Sequence, residues 1–247
     1  MEKFSYNNIA QDYHLKRKKP WKPLEFFLKH LKAKKFIFKG ICIDLGCANG
    51  RHFKNFKNPN SKLVGIDNSI EFLKITHENL KDREQYSIEE SNNIQLLLAD
   101  LCHIPIRTMS IQNIFSIATL HHIRHKNDRI NVFSQILDLL KERGYFLITV
   151  WRKWQKKYKN YFVANLLMRV VNPSYRKQQK KAGLPEFGDR HVPWTVSSSS
   201  ERITYVRYYH FFSKKELQKL LLNFKIRESI ITGGPTGKDN FFVLAQK

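Results

Sequence analysis

"IDLGCANG", residues 43–50, decides the fold. An apolar run ends in an acid, and two glycines then bracket a tight turn. The preceding residues extend it to "GICIDLG" (40–46), a short buried strand that ends in glycine, and "RHFKNFK" (51–57) reads as the first turns of a helix. In a doubly wound sheet, the turn from first strand to first helix is the ligand site. Gly46 and Gly50 let the backbone approach that ligand. Downstream the alternation repeats. "KLVGID" (62–67), "IQLLLAD" (94–100), "NIFSIATL" (113–120) and "YFLITVW" (145–151) read as further buried strands. "SIEFLKITHENLK" (69–81), with Ser69 as N-cap, and "NDRINVFSQILDLLKERG" (127–144), stopped by Gly144, read as helices. Buried strands alternating with helices predict an α/β fold, a mostly parallel sheet covered on both faces.

Upstream, "PLEFFLKHLK" (23–32) has apolar positions at helical spacing behind a proline. After residue 151 the rhythm breaks. Residues 152–200 are basic and aromatic and end in "SSSS", an insertion expected over the edge of the sheet. "ITYVRYYHFF" (203–212) is strand-like, and in "SKKELQKLLLNF" (213–224) Ser213 and Glu216 have the spacing of a capping box. "IRESII" and "FFVLAQ" close the chain as strands around "TGGPTGKDN". The 247 residues suit one domain, 1–247, carrying the insertion 152–200.

Composition narrows the function. A hydrophobic content of 42% supports a packed core, so wholesale disorder is excluded. No apolar run reaches the roughly 18 residues of a membrane span, and the N-terminus lacks an apolar signal core. The chain therefore reads as cytoplasmic, without a membrane partner. Three cysteines with no CxxC pair argue against a disulfide framework and a structural zinc site. The net charge of +23 points to a polyanionic partner. It is concentrated: residues 14–39 hold ten Lys/Arg and one acid, and residues 152–181 hold ten and none. In the second run Trp154, Tyr158, Tyr161, Phe162 and Tyr175 are interleaved. Basic residues track phosphates and aromatic faces stack on unpaired bases, which suits single-stranded RNA. An anionic membrane surface is the other polyanion such a run fits.

The glycine turn is neither GxGxxG nor a GKS/GKT phosphate loop. Acids follow the next two strands, Asp67 and Asp100, so they line the same sheet edge as the turn. The pattern D-x-G-x-x-x-G with these acids resembles class I S-adenosylmethionine-dependent methyltransferases, a Rossmann-like fold with a seven-stranded sheet. The resemblance implies S-adenosylmethionine as cofactor. It assigns Asp44 and the loop Gly46 to Gly50, including Asn49, to the methionine part, Asp67 to the ribose, Asp100 and Leu101 to the adenine, and Ala118 to the methyl-bearing end. Ala48 stands where the family usually has glycine.

Further motifs are more specific. "YNNIAQDYHLKRKKPW" (6–21), "SIATLHHI" (116–123) followed by "NDR", "ITVW" (148–151), "HVPW" (191–194), "RYYHFFSKKEL" (207–217) and "DNFFVLAQK" (239–247) together resemble the tRNA wobble-uridine carboxymethyl methyltransferases. That family includes the methyltransferase domain fused to an AlkB-type hydroxylase in animals. The resemblance implies methyl esterification of 5-carboxymethyluridine at the wobble position of a tRNA anticodon stem-loop. It also implies a small zinc-binding activator subunit, for which "NIQLLLADL" (93–101) is a candidate edge strand, covering Leu96, Leu98 and Leu101; ordinary burial of these residues within the chain is the alternative. A carboxylate with a pKa near ~4 is already an anion at neutral pH, so no strong base is needed.

Within this frame His121 is a candidate catalytic donor to the substrate carboxylate or uracil, or else a packed or capping histidine. His122, adjacent on an extended chain, should point the other way, and adjacent histidines rarely share a metal ion; no metal site is expected. Arg17, in a basic run before "PW", matches the family's arginine, and a guanidinium suits bidentate carboxylate recognition. Tyr6 and Tyr13 are candidates to cover the cofactor. Arg207, Tyr209, His210, Asp239 and Asn240 are candidates to line the acceptor pocket, and Lys177, Lys180 and Lys181 to hold phosphates. Trp151 and Trp194 read as packing residues. A small-molecule methyltransferase and an inactive RNA-binding relative are the alternatives. The charge argues against the first, and the intact Gly46, Gly50, Asp67 and Asp100 argue against the second.

Overall fold

The computed structural model describes residues 5–247 except 57, 59–60, 83 and 197–201, so the "SSSS" end of the insertion lies outside the described residues. The chain opens with a short 3₁₀ turn at Tyr6–Ile9 and two helices, α1 (Ala10–Lys16) and α2 (Lys22–Ala33). Then come β1 (Gly40–Leu45), α3 (Phe53–Phe56), β2 (Ser61–Asp67), α4 (Ile70–Lys81), α5 (Ile88–Asn92), β3 (Ile94–Leu98) and β4 (Ile111–Ile117). After α6 (Lys126–Leu139) and β5 (Leu140–Trp151), the basic region folds as α7 (Lys159–Val171), α8 (Pro173–Lys181) and β6 (Asp189–Val196). The chain ends with β7 (Ile203–His210), α9 (Lys214–Leu220), β8 (Lys225–Thr232) and β9 (Asn240–Gln246).

Seven strands form the main sheet in the order β3-β2-β1-β4-β5-β9-β8. β1 to β5 pair in parallel, and β9 runs antiparallel to both β5 and β8. The strand order reverses between β1 and β4, and a ligand crevice opens beyond their carboxyl ends. Each face carries its own core. Phe27 and Leu31 of α2 and Leu73 of α4 pack with Phe115 and Leu147 on one side. Val132 and Ile136 of α6 and Leu217 of α9 pack with Ile114, Phe146 and Ile148 on the other. Strand residues alternate between the two, so the middles of β1, β4 and β5 carry consecutive apolar residues (Ile41–Ile43, Ile114–Phe115 and Phe146–Ile148), as a sheet covered on both faces requires.

Two sequence expectations are corrected, and the strand-like run 203–212 finds its place outside the main sheet. The helix over 127–144 ends at Leu139, and Gly144 lies inside β5 rather than at a helix stop. The β4–β5 register passes from Ile111↔Leu140 to Asn113↔Tyr145, so residues 141–144 bulge from the ladder. Residues 203–210 do not join the main sheet; they pair with β6 in a separate antiparallel ribbon. The Ser213 hydroxyl caps α9, accepting from Glu216 N, but the Glu216 side chain reaches His210 instead of closing the box. Ser69 does cap α4, accepting from Phe72 N at 3.2 Å.

The ribbon has its own small core of Tyr158, Phe162, Val192, Tyr209 and Phe211, which joins it to α7. The insertion thus contributes a wall beside the carboxyl ends of β4 and β5, where β5 hands the chain on at Trp151.

Candidate active site

A cleft of about 1580 Å³ opens where the β1 and β4 ends diverge. Its floor is set by two loops. After β1, Gly46 N donates to Ile66 O at 2.7 Å, and Gly46 has φ +73°. A Cβ there would lie 2.1 Å from Thr119 Cγ2. After β4, Ala118 takes φ +56°, and its N–H donates to Thr149 O and Oγ1. The two loops pack against each other through Thr119, whose hydroxyl donates to Gly46 O at 3.3 Å. Ala48, also at positive φ (+49°), donates its N–H to Asp67 Oδ2 at 2.9 Å, while Asp67 Oδ1 accepts from Ser69 N. Burial raises the Asp67 carboxyl above its usual range, and the backbone donors partly oppose this. Asp67 is 8% exposed and faces the cleft, and each oxygen keeps acceptor capacity.

Asp100, Leu101 and Ala118 line the same cleft. Asp44, Asn49 and Gly50 do not line it. Asp44 is buried beneath the loop, and burial with the nearby Asp67 charge pushes its carboxyl up to about 8. The Asn49 amide ties the N-terminal segment down, donating to Arg17 O at 3.0 Å and meeting His14 Nδ1 at 3.1 Å. Gly50 leaves no room for a side chain, since a Cβ would meet Thr76 at 2.6 Å. These three shape the loop from behind. Tyr6 and Tyr13 lie across the cleft, packed with Ala10, Phe72 and Ala48.

The other half of the cleft is lined chiefly by the β6–β7 ribbon. On β7, Arg207 and Tyr209 point inward, opposite Val192 and Arg190 of β6. The Arg207 guanidinium lies over Trp194 at 4.7 Å and Tyr209 at 5.1 Å. It is 7% exposed, its Nε has no hydrogen-bond partner, and no carboxylate among the described residues pairs with it. The Arg17 guanidinium also lies by the Trp194 ring, 5.9 Å from its centroid. Trp151 and Trp194 therefore line the site rather than merely fill the core, as do Gln155 and Tyr158.

His121 and His122 sit on a 3₁₀ turn, Leu120–His122, not on an extended chain. Their rings consequently lie together, 4.4 Å apart, and both line the cleft. His121 stacks on Tyr209 at 4.8 Å. His122 donates through Nδ1 to Tyr208 O at 3.1 Å. Burial drives His121 well below the usual imidazole range and His122 down to about 3, with Arg207 and neighbouring histidines adding to the effect. Burial thus favours the neutral form of both rings, and His121 can donate as a neutral imidazole.

His210 is not in the acceptor cleft. It is 1% exposed on the opposite side of β7, with Nδ1 2.7 Å from Asp189 Oδ1 and Nε2 2.7 Å from Glu216 Oε1. Successive strand residues face opposite ways, so Arg207 and Tyr209 cannot share a face with His210. The donor atoms of Glu186, His210 and Glu216 lie within 4.8 Å of one another, a convergence the sequence does not reveal. The buried Arg129 guanidinium already occupies it, 2.6 Å from Glu186 and 3.8 Å from Glu216. Asp239 and Asn240 do line the cleft; Asp239 also closes its own turn by accepting from Thr236 N and Oγ1. Lys177, Lys180 and Lys181 lie exposed on α8, outside the cleft.

The model of a methyltransferase domain family matches residues 43–148. A tRNA (carboxymethyluridine(34)-5-O)-methyltransferase of Schizosaccharomyces pombe is 30% identical over 98% of this chain and 94% of its own length. The chain belongs to the tRNA (carboxymethyluridine(34)-5-O)-methyltransferase family. The family relative from Mus musculus, ALKBH8, is 29% identical over 63% of this chain, which spans only 20% of that longer protein. The fold is shared more widely: a SAM-dependent methyltransferase from Methanosarcina mazei superposes with a TM-score of 0.67 at 16% identity, over 88% of this chain and 96% of that one.

S-adenosylmethionine is the cofactor of this fold and family, and the first half of the cleft fits it. A carboxylate acceptor (Asp67) ends β2, a second (Asp100) follows β3, and the Gly46 turn leaves backbone open to the cleft. Gly46→Ala is expected to weaken cofactor binding by at least about tenfold, ~1.4 kcal/mol, because the new methyl must displace Thr119 and the Ala118 loop with it. Ala48→Gly should leave affinity within about twofold, ~0.4 kcal/mol, since the backbone already holds the conformation glycine prefers. Calorimetric titration of both variants checks the pair.

Proposed function

We propose that this chain transfers a methyl group from S-adenosylmethionine to the carboxylate of 5-carboxymethyluridine at the wobble position of tRNA, giving the methyl ester. The observation that carries this reading is Arg207, a buried guanidinium facing the cleft without an acidic partner among the described residues. A guanidinium keeps its charge when buried, and leaving it unpaired is costly. A carboxylate acceptor supplies the missing anion.

Bound S-adenosylmethionine supplies an electrophilic methyl on a sulfonium. A carboxylate oxygen forms the new O–CH₃ bond as the S–CH₃ bond breaks, and no proton moves. The residues fit a reaction without a base: burial lowers the proton affinity of both histidines, and among the described residues no carboxylate hydrogen-bonds to either ring. In our reading Arg207 and Arg17 fix the carboxylate, His121 donates as a neutral imidazole, and Tyr209, Trp151 and Asn240 exclude water from the reacting pair. Asp67 holds the ribose, and Asp100 with Leu101 the adenine. Lys177, Lys180 and Lys181 hold phosphates outside the cleft, where truncation should weaken tRNA binding and flatten its salt dependence.

β3 is an outer strand of the sheet, with Leu98 52% exposed, and there a zinc-binding activator subunit would add. Leu101, at 9% exposure, belongs to the core of this chain and is not part of that surface. A cytoplasmic, heterodimeric enzyme follows from this reading. The test is methyl transfer from labelled S-adenosylmethionine to tRNA bearing 5-carboxymethyluridine, with and without the zinc subunit, followed by nucleoside mass spectrometry. The ester should appear. Silence in both arms with cofactor binding intact would move the acceptor elsewhere.

A further inference from the structure

The reaction leaves one large feature of the molecule unused. On α7, Val163, Leu166, Leu167, Val170 and Val171 follow one another at i, i+3, i+4, i+7 and i+8, which is one face of a helix. That face is not buried. The five are 43%, 41%, 59%, 69% and 72% exposed, while Phe162 and Asn165 on the opposite side are buried. Most helices turn such a stripe inward; this one presents it to solvent over about 12 Å of helix. Contiguous exposed aliphatics of this extent mark a contact surface.

The surroundings define the contact. Residues 152–181 carry ten Lys/Arg and no acid. Arg176, Lys177, Lys180 and Lys181 are all exposed on the adjoining α8, and Trp154 is 40% exposed. Two copies of this chain meeting through α7 would bring two such basic surfaces together, which a net charge of +23 each opposes. RNA offers anions but little that an aliphatic stripe can bury. The stripe is one face of a single helix, and a lipid surface requires no shape complementarity. It does supply both chemistries at once, acyl chains beneath anionic headgroups.

We propose that α7 is an interfacial anchor: its aliphatic stripe enters the headgroup–acyl boundary of an anionic membrane while exposed cations outside the tRNA-binding set, Lys156, Lys159 and Arg176, hold the headgroups. This is compatible with the absence of a spanning segment. No helix among the described residues is long and apolar enough to cross a membrane, but an interfacial helix lies in the surface plane. The Leu166/Leu167 face is distinct from the cleft, so anchoring and methyl transfer are separable.

Charge alone would draw so basic a protein to anionic vesicles, so the experiment must isolate the stripe. The full chain is mixed with phosphatidylcholine vesicles containing roughly a third phosphatidylserine and floated at low and at high salt. A Leu167→Cys variant in a Cys102→Ser background carries an environment-sensitive fluorophore. The expected result is binding that survives high salt and a blue-shifted, brightened label. The double variant Leu167→Asp/Val171→Asp should lose salt-resistant binding by at least about tenfold and keep its tRNA methylation rate. Binding that disappears at high salt, or a label that stays in water, overturns the proposal and leaves the stripe to an acidic protein partner. Equal salt-resistant binding by the double variant overturns it as well. Retained methylation shows that the double variant folds.

Discussion

Arg207→Met is expected to lower kcat/KM on tRNA bearing 5-carboxymethyluridine by about 100-fold, ~2.7 kcal/mol, while raising the melting temperature of the ligand-free protein. Both halves have the same cause. In the free protein the Arg207 charge is 7% exposed, held only by the faces of Trp194 and Tyr209 and without a carboxylate among the described residues. Replacing a buried, unpaired charge by an apolar chain of similar length removes a desolvation cost, and each kcal/mol is worth about 2–4 °C in a chain of this size. With substrate bound, the same replacement strands the carboxylate instead. The acceptor's charge is largest before transfer and vanishes in the ester, so the ion pair favours the ground state and product release. The loss should therefore fall more on KM than on kcat. Arg207→Lys keeps the charge but not the planar fork, and should fall between the two. A tRNA carrying the corresponding amide, 5-carbamoylmethyluridine, should compete poorly with wild type and no worse than the acid in Arg207→Met. Steady-state kinetics with both tRNAs decides this. Unchanged kcat/KM in Arg207→Met would remove Arg207 from the site and, with it, the main support for a carboxylate acceptor.

That Gly46, Asp67, Asp100 and Ala118 meet at one cleft was legible in the sequence because each lies at a strand end, whereas the placement of Asp44, Asn49 and Gly50 behind the loop was not. Gly46 and Asp67 each lie at the end of an apolar run, and the doubly wound topology brings such ends to one edge. The acceptor half was legible only as a set of candidates. Arg207, Tyr209, Asp239 and Asn240 reach the cleft, but His210 does not. The run "RYYH" held the answer: once 203–210 is a strand, period two places 207 and 209 on one face and 208 and 210 on the other. What it did not contain was the pairing of β6 with β7, which is non-local and gives Trp194 its place beside Arg207. The histidine pair failed for the opposite reason. Alternation was applied to an extended chain, but residues 120–122 turn as a 3₁₀ helix, where adjacent side chains are not opposed. The helices α7 and α8 were hidden by composition, since a basic, aromatic run reads as a binding surface before it reads as secondary structure.

Asp189→Ala is expected to destabilise the protein by about 3–5 kcal/mol, the largest structural loss predicted for a single side chain here. Asp189 is fully buried; its Oδ1 accepts from Tyr208 Oη and His210 Nδ1, and its Oδ2 accepts from Glu186 N at 2.7 Å. His210 meets carboxylate oxygens at both ring nitrogens, and only the imidazolium can donate to both. Burial opposes that charge, but the hydrogen bonds to Asp189 and Glu216 outweigh burial and the repulsion of Arg129, so the folded His210 titrates above its ordinary range. The sign of the pH dependence follows. A group whose pKa is raised by folding stabilises fully below its unfolded value of about 6.5, and that contribution is lost as pH rises through the folded value. His121 and His122 act in the other direction, because they are buried neutral and the unfolded chain takes up their protons below about 6.5. Wild-type stability should therefore decline on both sides of a maximum. Asp189→Asn should flatten the alkaline limb and leave the acid limb in place. Urea unfolding between roughly pH 5 and 9 separates the limbs. The same strand carries the consequence into the cleft: Tyr208 and His210 are held by this network on one face of β7, and that fixes where Arg207 and Tyr209 stand on the other. Asp189→Asn should accordingly raise KM for tRNA while leaving S-adenosylmethionine affinity unchanged. A variant that keeps both the alkaline limb and the tRNA KM would show that the network neither holds the His210 proton nor positions the acceptor wall.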